Sequence, residues 1–427
     1  MPTPDAPDTA QGAPADPEPT PLAHPSDGVP AVSVSTNEIA DAAAKLSTGH
    51  GPFAVDAERA SGFRYSNRAY LIQIRRAGAG TVLIDPVNHG GSPIDVLAPL
   101  ADVLATDEWI LHAADQDLPC LAEVGLHPPA LYDTELAGRL AGFDRVNLAA
   151  MVQRLLGLGL AKGHGAADWS QRPLPETWLN YAALDVEVLI ELRAEVAAVL
   201  AEQNKTGWAA EEFEYLRHAE TTPTRRDRWR RTSGLHKVRT SAGLAAVREI
   251  WTVRDKIARE RDIAPGRILP DAAIIAAALA DPTTVEDLIA LPVFGGPRQR
   301  RTAAVWLDAL ESARRTDDPP DTAEVLTGPP PPARWAKRKP EAAAYLDAAR
   351  AALGDLARRV EVPTENLVSP DLVRRLCWDF QESTDVSGAV AVFLRDGGAR
   401  NWQCDLVVPA LSVALSRPAA QESVESL

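Results

Sequence analysis

Asp56 and Glu58 lie two apart in FAVDAE (53–58), a spacing that puts both side chains on one face of a strand. Two like charges there repel, and a sheet tolerates them where water solvates the pair or a cation neutralises it. Tyr181 and Asp185 lie four apart in YAALDVE (181–187), so on a helix they project together. Asp117 closes HAADQD (112–117), directly after the apolar run WILH (109–112). Oxygen ligands with no His or Cys among them favour Mg²⁺ or Mn²⁺ over zinc. Two such ions about 4 Å apart can clamp the attacking and leaving oxygens of an in-line phosphodiester displacement. The Tyr181 hydroxyl would then orient the attacking water.

These side chains need a sheet and a helix to carry them. FAVDAE, AYLIQIRR (69–76) and TVLIDPV (81–87) are short β-prone runs, and AGAG (77–80) suits the turn of a hairpin. Together they predict an antiparallel start to a sheet. WILH predicts a further strand with a helix packed beside it. LPETWLNYAALDVEVLIELRAEVAAVLAEQ (174–203) predicts one long helix, with Pro175 at its first position and Leu184, Val188, Leu192 and Val196 on its buried stripe. Further along, Leu244, Val247, Ile250, Trp251 and Ile257 fall at helical spacing, with Val247 and Trp251 expected in a core. LPDAAIIAAAL (269–279) and TTVEDLIAL (283–291) follow as shorter helices, the second with Thr283 and Glu286 as its capping box.

Composition bounds the partners. At 427 residues the chain is too long for one core, and its net charge of −15 repels nucleic acid overall, so any such contact must be local. Residues 221–261 supply a local excess: twelve Lys/Arg, including Arg225, Arg226, Arg228, Arg230 and Arg231, against four Asp/Glu. That run is either a solvated face or a phosphate-binding surface. Three scattered cysteines form no CxxC or Cys/His cluster, which fits a reducing cytoplasm. AAIIAAALA (272–280) is too short for a membrane span, and the N-terminus lacks the basic start and apolar core of a secretory signal. Residues 1–32 carry five acids and no Lys or Arg, the composition of a disordered tail. The four prolines at 329–332 mark residues 316–339 as an extended spacer between globular parts.

The order D56-A-E58, HAADQD117L and Y181-A-A-L-D185, alongside LIQI (71–74), IDP (84–86) and ADWSQRPL (167–174), resembles the DEDDy branch of the 3′–5′ exonucleases, and most closely the ribonuclease D family. The resemblance implies a ribonuclease H-like α/β exonuclease domain, a mixed sheet flanked by helices, over 33–205, and a connecting segment over 206–228. VREIWTVRDKIARERDIAPGRILPD (247–271) and LPVFGGPRQRR (291–301) resemble the HRDC domain shared with RecQ-type helicases, placed at 229–315. VPTENLVSPDLVRRL (362–376) echoes APGRILPDAAII (264–275), which predicts a degenerate second all-α module at 340–420.

Carried over residue by residue, the resemblance makes Asp56 a bridge between two divalent ions. Glu58 and Asp185 complete the water-activating site, Asp117 supports the second ion and Tyr181 positions the water. It implies hydrolysis of RNA 3′ ends, with transfer RNA precursors and other small structured RNAs as substrates; the sequence leaves the oligomeric state open, with a monomer favoured. A DNA exonuclease and a catalytically silent nucleic-acid scaffold stand as alternatives. The chain departs from the family pattern at Ala57 and Arg59, where Thr and Phe are common. Arg59 either holds a phosphate or sits exposed in its loop. Gln73 and Lys162 are further candidates for nucleotide and phosphate contact, as are Arg228, Arg230 and Arg231. His112, on an apolar strand, reads as a core residue rather than a base, and His164 has no evident partner.

Overall fold

The computed structural model of the chain describes residues 18–87, 91–161, 163–219, 227–322, 328–381 and 383–416. Strands β1 (Thr20–Leu22) and β2 (Val32–Ser33) and helix α1 (Thr36–Ser47) lead into β3 (His50–Arg59), β4 (Ala69–Ala77) and β5 (Gly80–Ile84). β3, β4 and β5 are antiparallel, as the hairpin reading predicts, and the tight turn is possible because Gly78 and Gly80 adopt positive φ. Then come α2 (Pro93–Leu104), β6 (Trp109–Leu111), α3 (Leu118–Ala122), β7 (Leu131–Asp133), α4 (Thr134–Leu140), α5 (Leu148–Leu156) and β8 (Leu158–Leu160). The main sheet has the order β2-β5-β4-β3-β6-β7, with β6 and β7 added in parallel, so it is mixed and β3 is central.

Alternation along β3 decides which face carries chemistry. Phe53, Val55 and Ala57 enter a core with α1 and α2, including Ile39, Leu46, Leu97 and Leu100. Ala54, Asp56 and Glu58 therefore share the opposite face. That face is covered by α6 (Glu176–Glu187), α7 (Leu189–Glu202) and α8 (Thr206–His218). The single long helix predicted over 174–203 is two helices, broken at Val188, with Pro175 as the cap rather than the first helical residue. The predicted stripe is still buried. The break lets α6 lie on β3, β4 and β5 while α7 turns to pack against α4 and α5.

Two helical modules follow. The first comprises α9 (Ser241–Arg261), α10 (Pro265–Ile268), α11 (Asp271–Ala280), α12 (Val285–Ile289) and α13 (Pro297–Arg314), around its own core of Val247, Ile250, Ile274, Phe294 and Trp306. Trp251 is only partly buried, because it sits at the edge of that core with the Arg228 guanidinium over its ring. The cap of α12 is Thr284 with Asp287, one residue later than the expected Thr283 and Glu286; the sequence contains both overlapping pairs. The second module is α14 (Trp335–Arg338), α15 (Pro340–Val360), α16 (Thr364–Leu367), α17 (Pro370–Asp379), α18 (Val386–Asp396) and α19 (Asn401–Ser416). In both modules a 21-residue helix is followed by helices of 4 and then 10 residues. Each long helix ends on a non-glycine residue in the left-handed region, Asp262 at φ 47° and Glu361 at φ 52°.

Two segments differ from their compositional reading. Residues 20–22 of the expected disordered tail form β1, parallel to β8, and Ser26, Asp27 and His24 bond to α6 and β4. Local polar bonds to the folded domain supply what the apolar content does not. In the expected spacer, the Pro330 carbonyl accepts from the indole of fully buried Trp335 at 2.6 Å, so this part belongs to the second module.

Candidate active site

Glu58 and Asp56 reach the site from the central strand, and Asp185 from α6. α6 comes close to the sheet because the residues turned toward it, Ala182 and Ala183, are small and fully buried. One carboxylate oxygen from each of Asp56, Glu58 and Asp185 lies within 4.8 Å of the others. Together with Asp117 and Tyr181 they line a cavity of about 380 Å³, whose other walls include Arg59, His112, Leu148, Leu160 and Gly163. Asp117 lies outside the cluster of three but beside Asp56, close enough to share a proton with it, and its Oδ1 is 3.8 Å from the Arg59 guanidinium.

Burial and mutual repulsion dominate the electrostatics. Glu58 is pushed up to about 10, first by burial and then by Asp56, Asp185 and Asp117. Burial likewise raises Asp56 from its ordinary value, and Asp117 and Asp185 well above theirs. Four acids that resist ionising together form a donor set for a multivalent cation, which removes both penalties at once. The Tyr181 phenol is raised above its ordinary range by burial and then by Asp185, so it stays protonated and donates to that carboxylate.

The sites assigned from sequence fare differently around this centre. Arg59 is neither free nor merely exposed: it bonds Gln116 at 3.4 Å and pairs with Asp117. Gln73 does not reach into the groove. It is fully buried, opposite Asp56 in the β3–β4 register, and its amide donates to Asp56 Oδ2 at 2.6 Å, fixing that carboxylate. His112 bonds Thr134 at 2.9 Å and burial lowers it to about 4, so it is a neutral wall residue. His164 packs edge-on against Tyr181, with ring centroids 5.9 Å apart. Arg228 and Arg230 lie over Trp251 and Trp229, and Arg231 is exposed; all three are in the helical module, not the cavity. Lys162, Arg225 and Arg226 lie outside the described residues.

Several positioning residues were missed. Asp133, buried at the end of β7, accepts from the amides of Ala113, Ala114, Glu135 and Leu136, pinning the turn that delivers Asp117. The only sequence signal was an Asp directly before a short helix. Asp85 of IDP pairs at 2.6 Å with Arg172 of ADWSQRPL, and Arg172 also donates to the Tyr70 carbonyl. The two motifs are thus one strut below α6. Gly163 is a necessity of space, since a Cβ there would overlap the Tyr181 ring.

Comparison with known proteins agrees with this geometry. Residues 31–201 match the 3′–5′ exonuclease family, 243–310 the HRDC domain and 328–415 the 3′ to 5′ exonuclease C-terminal domain. Ribonuclease D of Jannaschia sp. (strain CCS1) is 32% identical over 271 residues, covering 61% of this chain and 68% of the relative. That of Gluconacetobacter diazotrophicus is 30% identical over 331 residues, 74% and 80% of the two chains. Some relatives are matched over less of their length, as with 51% for that of Bartonella henselae. A crystal structure of a protein from Bifidobacterium adolescentis superposes with a TM-score of 0.83 at 36% identity, covering 94% of this chain and all of the other. RNase D of Escherichia coli, at 22% identity, shares the fold with a TM-score of 0.65 over 90% of this chain and 98% of its own. Acid cluster, sheet order and helical modules converge with these likenesses: the chain belongs to the ribonuclease D family of 3′–5′ exoribonucleases.

Proposed function

We propose that this protein is a metal-dependent exonuclease that removes nucleotides one at a time from RNA 3′ ends, with transfer RNA precursors and other small structured RNAs as substrates. The observation that carries the reading is the convergence of Asp56, Glu58 and Asp185 within 4.8 Å, with a protonated Tyr181 bonded to Asp185. Two divalent ions, Mg²⁺ or Mn²⁺, fit this all-oxygen set, with Asp56, Glu58 and Asp185 as ligands and Asp117 supporting the second. Bound there, such ions supply a water of lowered pKa and charge stabilisation at the phosphorus. Gln73 holds Asp56 in place and Tyr181 orients the water. Arg59, on the boundary between the main cavity and a smaller neighbouring one, is placed to exchange Asp117 for an RNA phosphate.

The test is Asp56→Ala, which should lose nearly all RNA hydrolysis while keeping its fold by circular dichroism; continued trimming in magnesium would refute the reading. Matched RNA and DNA oligonucleotides decide the sugar, because the contact to the 2′-hydroxyl is what separates them. Binding without chelator-sensitive shortening would instead favour a silent scaffold.

A further inference from the structure

The loop that leaves Glu58, residues 60–68, is held from outside the exonuclease fold. Asp262, at the left-handed end of α9, accepts from the Ser66 amide at 2.8 Å and the Tyr70 hydroxyl at 3.4 Å, and lies 3.5 Å from Arg68. The Ala264 amide donates to the Phe63 carbonyl at 3.0 Å. Arg267 of α10 donates to the Gly62 carbonyl at 2.8 Å and lies over the Phe63 ring. Tyr65 donates to Asp255 of α9 at 3.1 Å. On its inner side the same loop reaches the opposite wall, with Arg64 donating to Ser170 at 2.8 Å.

That loop is a wall of the groove. Ser61 and Gly62 line a compartment of about 180 Å³ together with Ala57, Glu58, Arg59, Gly165, Ala166 and Ala167. Ala57, Glu58, Arg59 and Gly165 also line the acid cavity, so the two spaces adjoin. On the proposed activity the acid cavity takes the reacting phosphate, and the adjoining space, open to it, lies beside the strand end that carries Arg59.

We propose that the first helical module shapes the catalytic groove itself: Asp262 and Arg267 are positioning residues that hold the 60–68 loop as the wall against which RNA longer than one nucleotide is seated. This rests on the proposed exoribonuclease activity. The module's polar grip then acts on substrate fit rather than on bond cleavage, because among the described residues no side chain of it lines the acid cavity.

The full-length chain should be assayed with a short single-stranded RNA and with the p-nitrophenyl ester of thymidine 5′-monophosphate, which presents one nucleotide only. Asp262→Ala should raise KM for the RNA about tenfold with little change in kcat, and leave ester hydrolysis within about twofold. Asp262→Asn, which keeps an acceptor for Ser66 and tolerates the left-handed backbone, should restore most of the loss. Arg267→Ala removes the second grip and decides the matter if Asp262→Ala misfolds. Equal loss on both substrates, or no loss on RNA for either alanine variant, overturns the inference. A wild-type chain that shortens no RNA overturns the exonuclease reading and this inference with it.

Discussion

Asp262 and Glu361 stand at matching corners of two modules built on the same helix plan, and both corners touch the exonuclease fold, yet with different chemistry. At the first corner the contact is mainly polar: carboxylates, a guanidinium and amides grip a loop, and the Tyr65 ring of that loop packs on the edge of the module's core. At the second, the apolar core runs without a break from Ala54 and Ile110 through Val196 and Phe213 to Trp335, Leu346 and Leu411. The Glu361 carbonyl accepts from the buried Lys205 amine at 3.2 Å, and Arg400 makes a bidentate pair with the buried Glu212. The same helix plan meets the exonuclease fold through a polar grip in one place and through a shared apolar core in the other. Area removed from water, not helix plan, sets how tightly a module is coupled.

The sharpest way to break this comparison is to hollow each core. Trp335→Ala should cost about 3–5 kcal/mol and lower the melting of the exonuclease fold with the second module, as one calorimetric transition. Trp306→Ala should cost a similar amount yet melt the first module separately, leaving the exonuclease transition in place. Two transitions in the first variant, or one in the second, would erase the distinction.

Next in size is the buried pair. Glu212→Ala strands Arg400 and the Trp402 indole, and should destabilise the chain by about 3 kcal/mol, read as a shift in the denaturant midpoint. Glu212→Gln keeps hydrogen-bonding partners and should cost less.

The pH response has opposite signs at the catalytic cluster and at the polar grip. Glu58, with its pKa raised from 4.5 to about 10, binds its proton more tightly when folded. In chelator, stability should therefore be greatest below the ordinary carboxylate range and fall as pH rises toward 10. Asp185→Asn should raise metal-free stability at neutral pH while abolishing activity, and added Mn²⁺ should stabilise only the unmutated site. Asp262 is the reverse: burial would raise it, but bonds from Ser66 and the charge of Arg68 prevail and lower it. Its contribution is present above its ordinary pKa of 3.8 and lost as pH falls below that. Acid should thus free the 60–68 loop, seen as faster proteolysis there; unchanged cleavage would remove Asp262 from the joint. This last effect is the smallest.

Strands β3 to β6, and the meeting of Asp56, Glu58, Asp117, Tyr181 and Asp185 around one cavity, were legible because each rests on local periodicity or a short motif. Asp56 and Glu58 follow from a period of two, Tyr181 and Asp185 from a spacing of four. What failed was long-range. The bend at Val188 exists because α6 and α7 pack on different partners, which no helical pattern records. Gln73 looked like a groove residue until strand register placed it opposite Asp56. Asp133, and the pairing of Asp85 with Arg172, depend on contacts between segments far apart in sequence. The described end of the tail, from residue 18, and the end of the spacer around Pro330 were misread because composition reports average apolar content, while a few backbone bonds and one buried indole suffice to order a segment.

β3 pairs with β4 through Asp56 and Glu58 and with β6 at Phe53 and Ala54, whereas Asp117 sits at the junction of a short turn, clipped by Asp133, and the five-residue α3. In a deuterium-uptake experiment the backbone under Asp56 should be among the slowest in the chain to label, and that around Asp117 among the faster. That outcome would make the strand side of the pocket a fixed jaw and the turn side the one that gives.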